Sequence, residues 1–166
     1  MPGAGGTSGY VASFEPAMRL AMEQALRSDT GTSAGSDVPV GAVVLAPDGA
    51  VIGSGYNQRV ATADPTAHAE VVAIRQAAET MGYWRLDGCT LVVTLEPCTM
   101  CAGAVLNARI RRLVYGAADP RAGAAGSLWD VVRDRRLGPP VEVIGGVLAE
   151  PCAALLSSFF ERLRAE

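Results

Sequence analysis

The chain has 166 residues and a mass of 17.1 kDa, the usual size of one compact domain. Apolar residues make up 49% and charged residues 19%, and this composition excludes a chain that is disordered throughout. The 14 basic residues, all of them arginine, and the 17 acidic residues give a net charge of −3, so the molecule as a whole does not attract nucleic acid and any RNA contact must be local.

No segment has the features of a membrane span or a secretory signal. The longest clean apolar runs, 40–46 and 101–106, are far shorter than the roughly 18 residues that a span requires, and no basic segment followed by an apolar one opens the chain. We therefore expect a cytoplasmic protein with no membrane association. Glycine-rich residues 1–12 are predicted to form a flexible leader and 28–37 a loop, with residues 13–166 forming a single domain.

The first predicted elements are a helix and a β-hairpin. Apolar residues recur at helical spacing from 14 to 25, with Ser13 as a candidate N-cap. Two β-type runs follow at 38–46 and 50–56, and they flank Pro47-Asp48-Gly49, a typical hairpin turn.

From residue 64 onward the predicted elements alternate between helix and strand. Asp64-Pro65 is typical of an N-cap and first helical residue, and the helix runs to Met81, which places His68 in its first turns. The later elements are a strand at 90–95, a helix at 97–108, a strand at 112–116, a helix at 128–134, a strand at 141–144 and a helix at 151–163. This order predicts an α/β fold with three layers, in which a mixed five-stranded sheet carries helices on both faces.

The strongest chemical signal is a set of metal-ligand types at two helix starts. His68-Ala69-Glu70 opens one helix, and Pro97-Cys98-Thr99-Met100-Cys101 opens the next. Zinc binds imidazole and thiolate in a tetrahedron, and a catalytic site keeps three protein ligands and leaves the fourth position for water. His68, Cys98 and Cys101 supply three ligands, so the sequence predicts a catalytic zinc site.

Two other interpretations of the cysteines remain open at this stage. A Cys-x-x-Cys pair alone can be a redox dithiol, but the only histidine of the chain would then have no assigned role. A structural zinc site needs a fourth ligand, and the other thiols, Cys89 and Cys152, belong to no close pair and are typical of small buried apolar residues.

Glu70 has a separate predicted role as an acid and base. Zinc lowers the pKa of bound water from about 15.7 to roughly 7, so a nearby carboxylate can take a proton and return it to substrate. His-x-Glu combined with Pro-Cys-x-x-Cys is the known signature of zinc deaminases that act on nucleobases, in which the glutamate is not a ligand.

Similarity to a known family extends beyond the metal motif. It is carried by the stretches Asp37–Val43, Asp64–Glu70, Thr94–Ala104, Gly123–Leu128 and Cys152–Phe160. With these stretches the chain resembles bacterial tRNA-specific adenosine deaminases, which belong to the cytidine deaminase-like superfamily of zinc deaminases. The zinc motif is shared by the whole superfamily and indicates the reaction type, whereas Gly123–Leu128 is similar to the tRNA enzymes in particular.

The resemblance implies a substrate, an assembly and two further site residues. The expected reaction is hydrolysis of adenosine to inosine at the wobble position of a tRNA anticodon stem-loop, by a homodimer with one zinc per subunit and a cytidine deaminase-like fold. Asn57 matches the asparagine of the family that contacts the base, although an asparagine at a strand end can also simply form a turn. Asp119 falls where the family approaches the RNA backbone.

Two alternative functions remain. A deaminase of the same superfamily can act on a free base or nucleotide, such as guanine, cytosine or a cytidine nucleotide, and it would use the same metal and glutamate. A zinc module without catalysis, which binds RNA or a protein, is the second alternative, and Glu70 argues against it because a purely structural site needs no proton shuttle.

Overall fold

The computed structural model describes residues 6–31 and 35–166, which form a five-stranded sheet and its flanking helices. The strands are β1 (Gly41–Leu45), β2 (Val51–Tyr56), β3 (Thr90–Leu95), β4 (Arg112–Ala117) and β5 (Glu142–Ile144). The helices are α1 (Gly6–Ala12), α2 (Glu15–Leu26), α3 (Arg59–Thr62), α4 (Ala69–Met81), α5 (Thr99–Asn107) and α6 (Ala149–Ala165).

The sheet is mixed, and its strands follow the order β2-β1-β3-β4-β5. The hairpin strands β1 and β2 are antiparallel, and β1 is also antiparallel to β3. The pairs β3–β4 and β4–β5 are parallel. Helix α5 connects β3 to β4, and the irregular segment 118–141 connects β4 to β5. The prediction of a mixed five-stranded sheet with flanking helices is confirmed.

Alternate residues of the central strands contribute to two cores on opposite faces of the sheet. Leu91 and Val93 of β3 pack in a cluster with α4 and α5, whereas Val92 packs in a second cluster with α2 and α6. This alternation is the two-residue period of a strand that is buried on both faces. The result is the three-layer arrangement that the sequence predicts.

Helix α4 lies unusually close to strand β2 because glycines of the strand face it. A Cβ atom on Gly53 would lie 2.4 Å from the carbonyl oxygen of Ala73, and one on Gly55 would lie 2.6 Å from that of Ala69. The helix in turn presents alanines to the sheet, and Ala69 and Ala73 are fully buried. Small residues on both sides therefore let the helix backbone contact the strand backbone directly.

Three predictions of local structure differ from the fold. Residues 6–12, which the sequence places in a flexible leader, form α1, and the Tyr10 hydroxyl donates a hydrogen bond of 2.9 Å to Glu142. Residues 1–5 of the predicted leader and residues 32–34 of the predicted 28–37 loop lie outside the described residues. Helix α4 begins at Ala69 and not at Pro65, because the Asp64 carboxylate accepts the amide of Thr66 at 2.8 Å and forms a turn there.

The third difference is the segment 128–134, where the predicted helix is wrong. This segment is irregular, and its backbone bonds to a neighbouring loop: the amide of Val131 donates to the Ala124 carbonyl at 2.9 Å, and the amide of Gly126 donates to the Trp129 carbonyl at 2.8 Å.

Among the helices within 6–31 and 35–166, none has the length and apolar character that crossing a membrane requires.

Candidate active site

The predicted ligands lie at the N-termini of two helices beside the carboxyl end of β3. His68 is the N-cap residue of α4, and Cys98 is the N-cap residue of α5. Both have extended backbone angles, and neither side chain makes a capping hydrogen bond to its own helix. Since the side chains are not used to cap the helices, their donor atoms are available to a metal.

The three donor atoms are spaced as a tetrahedral zinc site requires. Nδ1 of His68 lies 3.7 Å from Sγ of Cys98 and 3.5 Å from Sγ of Cys101, and the three ligand atoms all lie within 4.8 Å of one another. With Zn–N near 2.0 Å and Zn–S near 2.3 Å, tetrahedral ligands place nitrogen and sulfur about 3.5 Å apart. His68, Cys98 and Cys101 therefore fit one zinc ion, with no large rearrangement of their side chains.

Electrostatics around the pair of cysteines favour a thiolate. A hydrogen bond from Cys101 lowers the pKa of Cys98 to about 3, and the same contact with Cys98, together with burial, raises the pKa of Cys101. The hydrogen bond with Cys98 also raises the pKa of His68. Because metals bind the thiolate form, the lowered pKa of Cys98 favours its role as a metal ligand.

Glu70 lies in the first turn of α4, next to this group of donors. Its side chain is 4% exposed and interacts with the Cys101 thiol. Burial raises the pKa of its carboxyl group, and its own backbone amide and the positive charge of His68 oppose that rise. A carboxyl group with a raised pKa is suited to hold and deliver a proton, which agrees with the predicted acid and base role.

A cavity of about 190 Å³ opens at this position. Its walls bring together all but one of the predicted site residues; Cys101 lies behind the wall and is fully buried. The remaining lining residues come from the segment before β1, the starts of α3 and α4, the end of β3 with the residue after it, and the 119–122 segment. Residues of the wall are Val38, Val40, Asn57, Arg59, His68, Ala69, Glu70, Leu95, Glu96, Cys98, Asp119 and Ala122.

Asn57 and Asp119 already make hydrogen bonds within the protein. The side-chain amide of Asn57 donates to the carbonyl of Val38 at 3.1 Å, and its Oδ1 accepts the amide of Arg59 at 3.3 Å. Asn57 therefore stabilises the turn after β2 and also lines the cavity. One N–H and one lone pair of its side chain remain available for a further hydrogen bond. The Asp119 carboxylate accepts the amide of Arg121 at 2.9 Å, and this bond stabilises the loop that carries it.

Sequence reasoning missed Glu96, which is 2% exposed and lies directly before Pro97. Its Oε1 accepts the amides of Ala125 and Ser127, each at 3.0 Å, and its Oε2 accepts the amide of Asp119 at 2.9 Å and the hydroxyl of Ser127. Burial opposes ionisation of this carboxyl group, but these hydrogen bonds outweigh it and hold the pKa of Glu96 below its usual range. A glutamate between a buried strand and Pro-Cys-x-x-Cys is the only signal for this role in the sequence.

Gly123 lets the loop close over Glu96. A Cβ atom at this position would lie 2.4 Å from both the carbonyl oxygen of Asp119 and the Cδ of Glu96. The carboxylate of Glu96 therefore holds the 119–127 segment at the end of β3, and the missing side chain of Gly123 gives the space for this contact. This fixes the wall of the cavity that contains Asp119.

The fold and the donor set together define a zinc-binding deaminase domain. The family described as the cytidine and deoxycytidylate deaminase zinc-binding region matches residues 14–117, more than half of the chain. The chain therefore belongs to this family, which agrees with the zinc predicted from the sequence.

Similarity to individual proteins shows to which group of this deaminase family the chain belongs. The chain is 46% identical to the tRNA-specific adenosine deaminase of Haemophilus influenzae over 152 residues, which cover 92% of this chain and 86% of that protein. A solved tRNA:A34 deaminase that performs A-to-I editing at the wobble position of transfer RNA is 41% identical, with a TM-score of 0.78, and the match covers 85% of this chain and 99% of that one. A solved guanine deaminase from Nitrosomonas europaea is 26% identical with a TM-score of 0.73, covering 87% and 83%. Within the family, the chain belongs with the tRNA-specific adenosine deaminases.

Proposed function

We propose that this protein converts adenosine to inosine at the wobble position of a tRNA anticodon, by hydrolysis that releases ammonia. The main support is that three donor atoms spaced for zinc, from His68, Cys98 and Cys101, lie at one small cavity with the buried carboxyl group of Glu70 beside them. The identity to tRNA-specific adenosine deaminases along most of the chain supports adenosine in tRNA as the substrate.

Each site residue has a distinct part in this proposal. His68, Cys98 and Cys101 would hold one zinc ion per subunit, which when bound acidifies water and makes it a nucleophile at neutral pH. Glu70 takes a proton from the attacking water, gives it to the ring nitrogen next to the reacting carbon, and then transfers a proton to the departing amino group. Water and adenosine thereby yield inosine and ammonia, with no redox step.

The size of the cavity supports a base that enters alone. About 190 Å³ is smaller than the roughly 300 Å³ at which pockets for complete small-molecule ligands begin, so the sugar and the phosphates would stay outside. Bases of an anticodon loop are single-stranded, so moving one into a pocket costs little. The remaining N–H and lone pair of Asn57 suit a purine edge, and Asp119 lies on the wall where the RNA backbone would pass.

A homodimer and a cytoplasmic location complete the proposal. Large apolar side chains are exposed around the two metal-binding helices: Trp84 after α4 is 53% exposed, Met100 in α5 36%, and Trp129 in the neighbouring loop 59%. Exposed apolar side chains of this size are typical of surfaces that another chain covers. Sedimentation analysis would support the dimer if the mass is twice that of the chain at micromolar concentration. A tRNA substrate supports a cytoplasmic location.

The experiment compares substrates with the zinc-loaded enzyme. An anticodon stem-loop with adenosine at the wobble position should yield inosine by nucleoside analysis, whereas free guanine, cytosine, adenine and their nucleosides should release no ammonia. A Glu70→Gln variant should keep its zinc but lose at least about 10² to 10⁴ in turnover, the contribution of one acid or base group. Ammonia from the free compounds and none from the stem-loop would instead identify a small-molecule deaminase, such as the guanine deaminase that the chain also resembles in fold.

A further inference from the structure

A second and larger cavity, of about 820 Å³, lies at the opposite end of the sheet. It is enclosed by three segments, 85–88, 106–112 and 137–142, which precede or begin β3, β4 and β5, and by Tyr10 of α1. Strand β3 spans six residues at roughly 3.3 Å each, so its two ends are on the order of 17 Å apart. The cavity is therefore separate from the site of His68 and Glu70. We call it the arginine cleft.

Four arginines and two carboxylates line the arginine cleft, and both carboxylates are paired. Nε of Arg85 lies 2.9 Å from Oδ2 of Asp87, and Nε of Arg112 lies 2.7 Å from Oε2 of Glu142. The cleft therefore has a local charge of about +2 in a protein whose net charge is −3. This excess comes from Arg109 and Arg111, which are exposed and make no ion pair or side-chain hydrogen bond to any described residue.

Arg109 has a backbone conformation that usually belongs to glycine. It follows the C-cap of α5 with a φ of +60°; its amide bonds to the Leu106 carbonyl at 3.1 Å, and the amide of Ile110 bonds to the Val105 carbonyl at 3.2 Å. This is the hydrogen-bond pattern of a Schellman motif, whose left-handed residue is commonly glycine. An arginine there costs roughly 1 kcal/mol of strain, and such strain is often retained where a side chain has a function.

The opposite wall of the arginine cleft is a stiff loop. Gly138 has a φ of +137°, and Pro139 and Pro140 follow it with their restricted backbone angles. A Cβ atom on Gly138 would lie 3.9 Å from Nη1 of Arg109, so the guanidinium group reaches across to this loop. A cationic group beside a wall with little freedom is a partly preorganised site for an anion, since less order has to be imposed on binding.

We propose that the arginine cleft binds phosphate groups, with Arg109 and Arg111 as the contacting residues. Guanidinium groups match phosphate oxygens in a planar, bidentate geometry. Within the described residues these two form no ion pair or side-chain hydrogen bond, and Asp87 and Glu142, each paired to another arginine, attract them only at longer range. The phosphates belong either to an RNA strand that extends beyond the cavity at His68 or to a free anion. The alternative is that both arginines are ordinary solvated charges.

The test compares an Arg109→Asn/Arg111→Gln double variant with an Arg19→Gln/Arg164→Gln control. Asparagine tolerates the positive φ of position 109, and the control removes the same charge from exposed arginines that have no ion pair within the described residues. Inorganic phosphate is titrated while the arginine Nε–H signals are followed by NMR. Binding of an anticodon stem-loop is measured by fluorescence anisotropy from about 50 to 200 mM salt.

Loss of a phosphate-dependent shift in the cleft variant alone supports a site for a free anion. The binding constant K of the stem-loop decreases with salt concentration. If the plot of log K against log salt becomes less steep by about 1.4 to 1.8 in the cleft variant and not in the control, the result supports contact with an RNA strand. Equal behaviour of the two variants in both measurements overturns the proposal. If the wild-type protein does not bind the stem-loop, the proposed function fails, while the phosphate titration still decides whether the cleft binds an anion.

Discussion

Glu96→Gln is the substitution that best tests how the cavity wall is held. Each of the two carboxylate oxygens accepts two hydrogen bonds. A glutamine at this position has one oxygen and one NH₂ group, so in either orientation of the amide the NH₂ group faces two hydrogen-bond donors. In the cheaper orientation the NH₂ replaces Oε2, the Ser127 hydroxyl rotates to accept, and the amide of Asp119 loses its partner. One orphaned donor costs about 1 to 3 kcal/mol, and the bonds to Ala125 and Ser127 weaken because their acceptor becomes neutral. We expect the free energy of unfolding to fall by about 3 kcal/mol.

Urea denaturation of the zinc-loaded protein measures this loss. With a slope of about 2 kcal/mol per molar urea, the midpoint should fall by roughly 1.5 M. Glu79→Gln removes the same charge from an exposed helix residue and should change stability by less than about 0.5 kcal/mol. An unchanged midpoint for Glu96→Gln would refute the reasoning.

The pH dependence gives a second check on the same residue. The fold lowers the pKa of Glu96, so the stability that its ionised form contributes is present above the unfolded value of about 4.3 and is lost as the pH falls through the lower folded value. The difference between wild type and Glu96→Gln should therefore shrink below about pH 4. A difference that stays constant as the pH falls well below about 4 would show that the charge of Glu96 is not what stabilises the loop.

Three further substitutions have separate readouts. Cys101→Ser should lower the zinc content from one ion per subunit, measured by elemental analysis, and full retention would contradict its role as a ligand. Asn57→Ala should raise KM for the stem-loop by about tenfold, equivalent to one lost hydrogen bond of roughly 1.4 kcal/mol, and an unchanged KM would leave it only its turn role. Gly123→Ala should destabilise the protein by about 1 to 3 kcal/mol in urea denaturation, because its Cβ meets Asp119 and Glu96; wild-type stability would show that the loop can move away.

Local patterns predicted the sheet and the metal ligands because each depends on a few neighbouring residues. The helical stop at Gly82 is an example: it has a φ of +68° and ends α4 as expected. His68 and the cysteines could be paired before the fold was known, since ligand chemistry restricts which residue types must meet. The structure then brings their donor atoms within reach of one ion.

The failures arose where a distant group overrides local preference. The helix predicted at 128–134 does not form, because the preceding loop is held by the carboxylate of Glu96, about thirty positions earlier in the chain. The start of α4 was misplaced because the Asp64 side chain bonds to Thr66 in a turn, a choice that an N-cap pattern alone does not exclude. The arginine cleft itself forms only in the folded chain, because three segments that are far apart in the sequence meet there.

The contact of α4 with the glycines of β2 has a consequence for how this enzyme can change. Zinc sites tolerate ligand displacements of only about 0.2 Å, whereas a methyl group at Gly55 would have to separate helix and strand by several times that amount. The packing of α4 against β2, directly beside the cavity, therefore constrains the reacting centre as strictly as the ligands do. New substrate preferences are more accessible through the side chains that line the cavity, such as Val38 and Ala122, than through larger residues between α4 and β2.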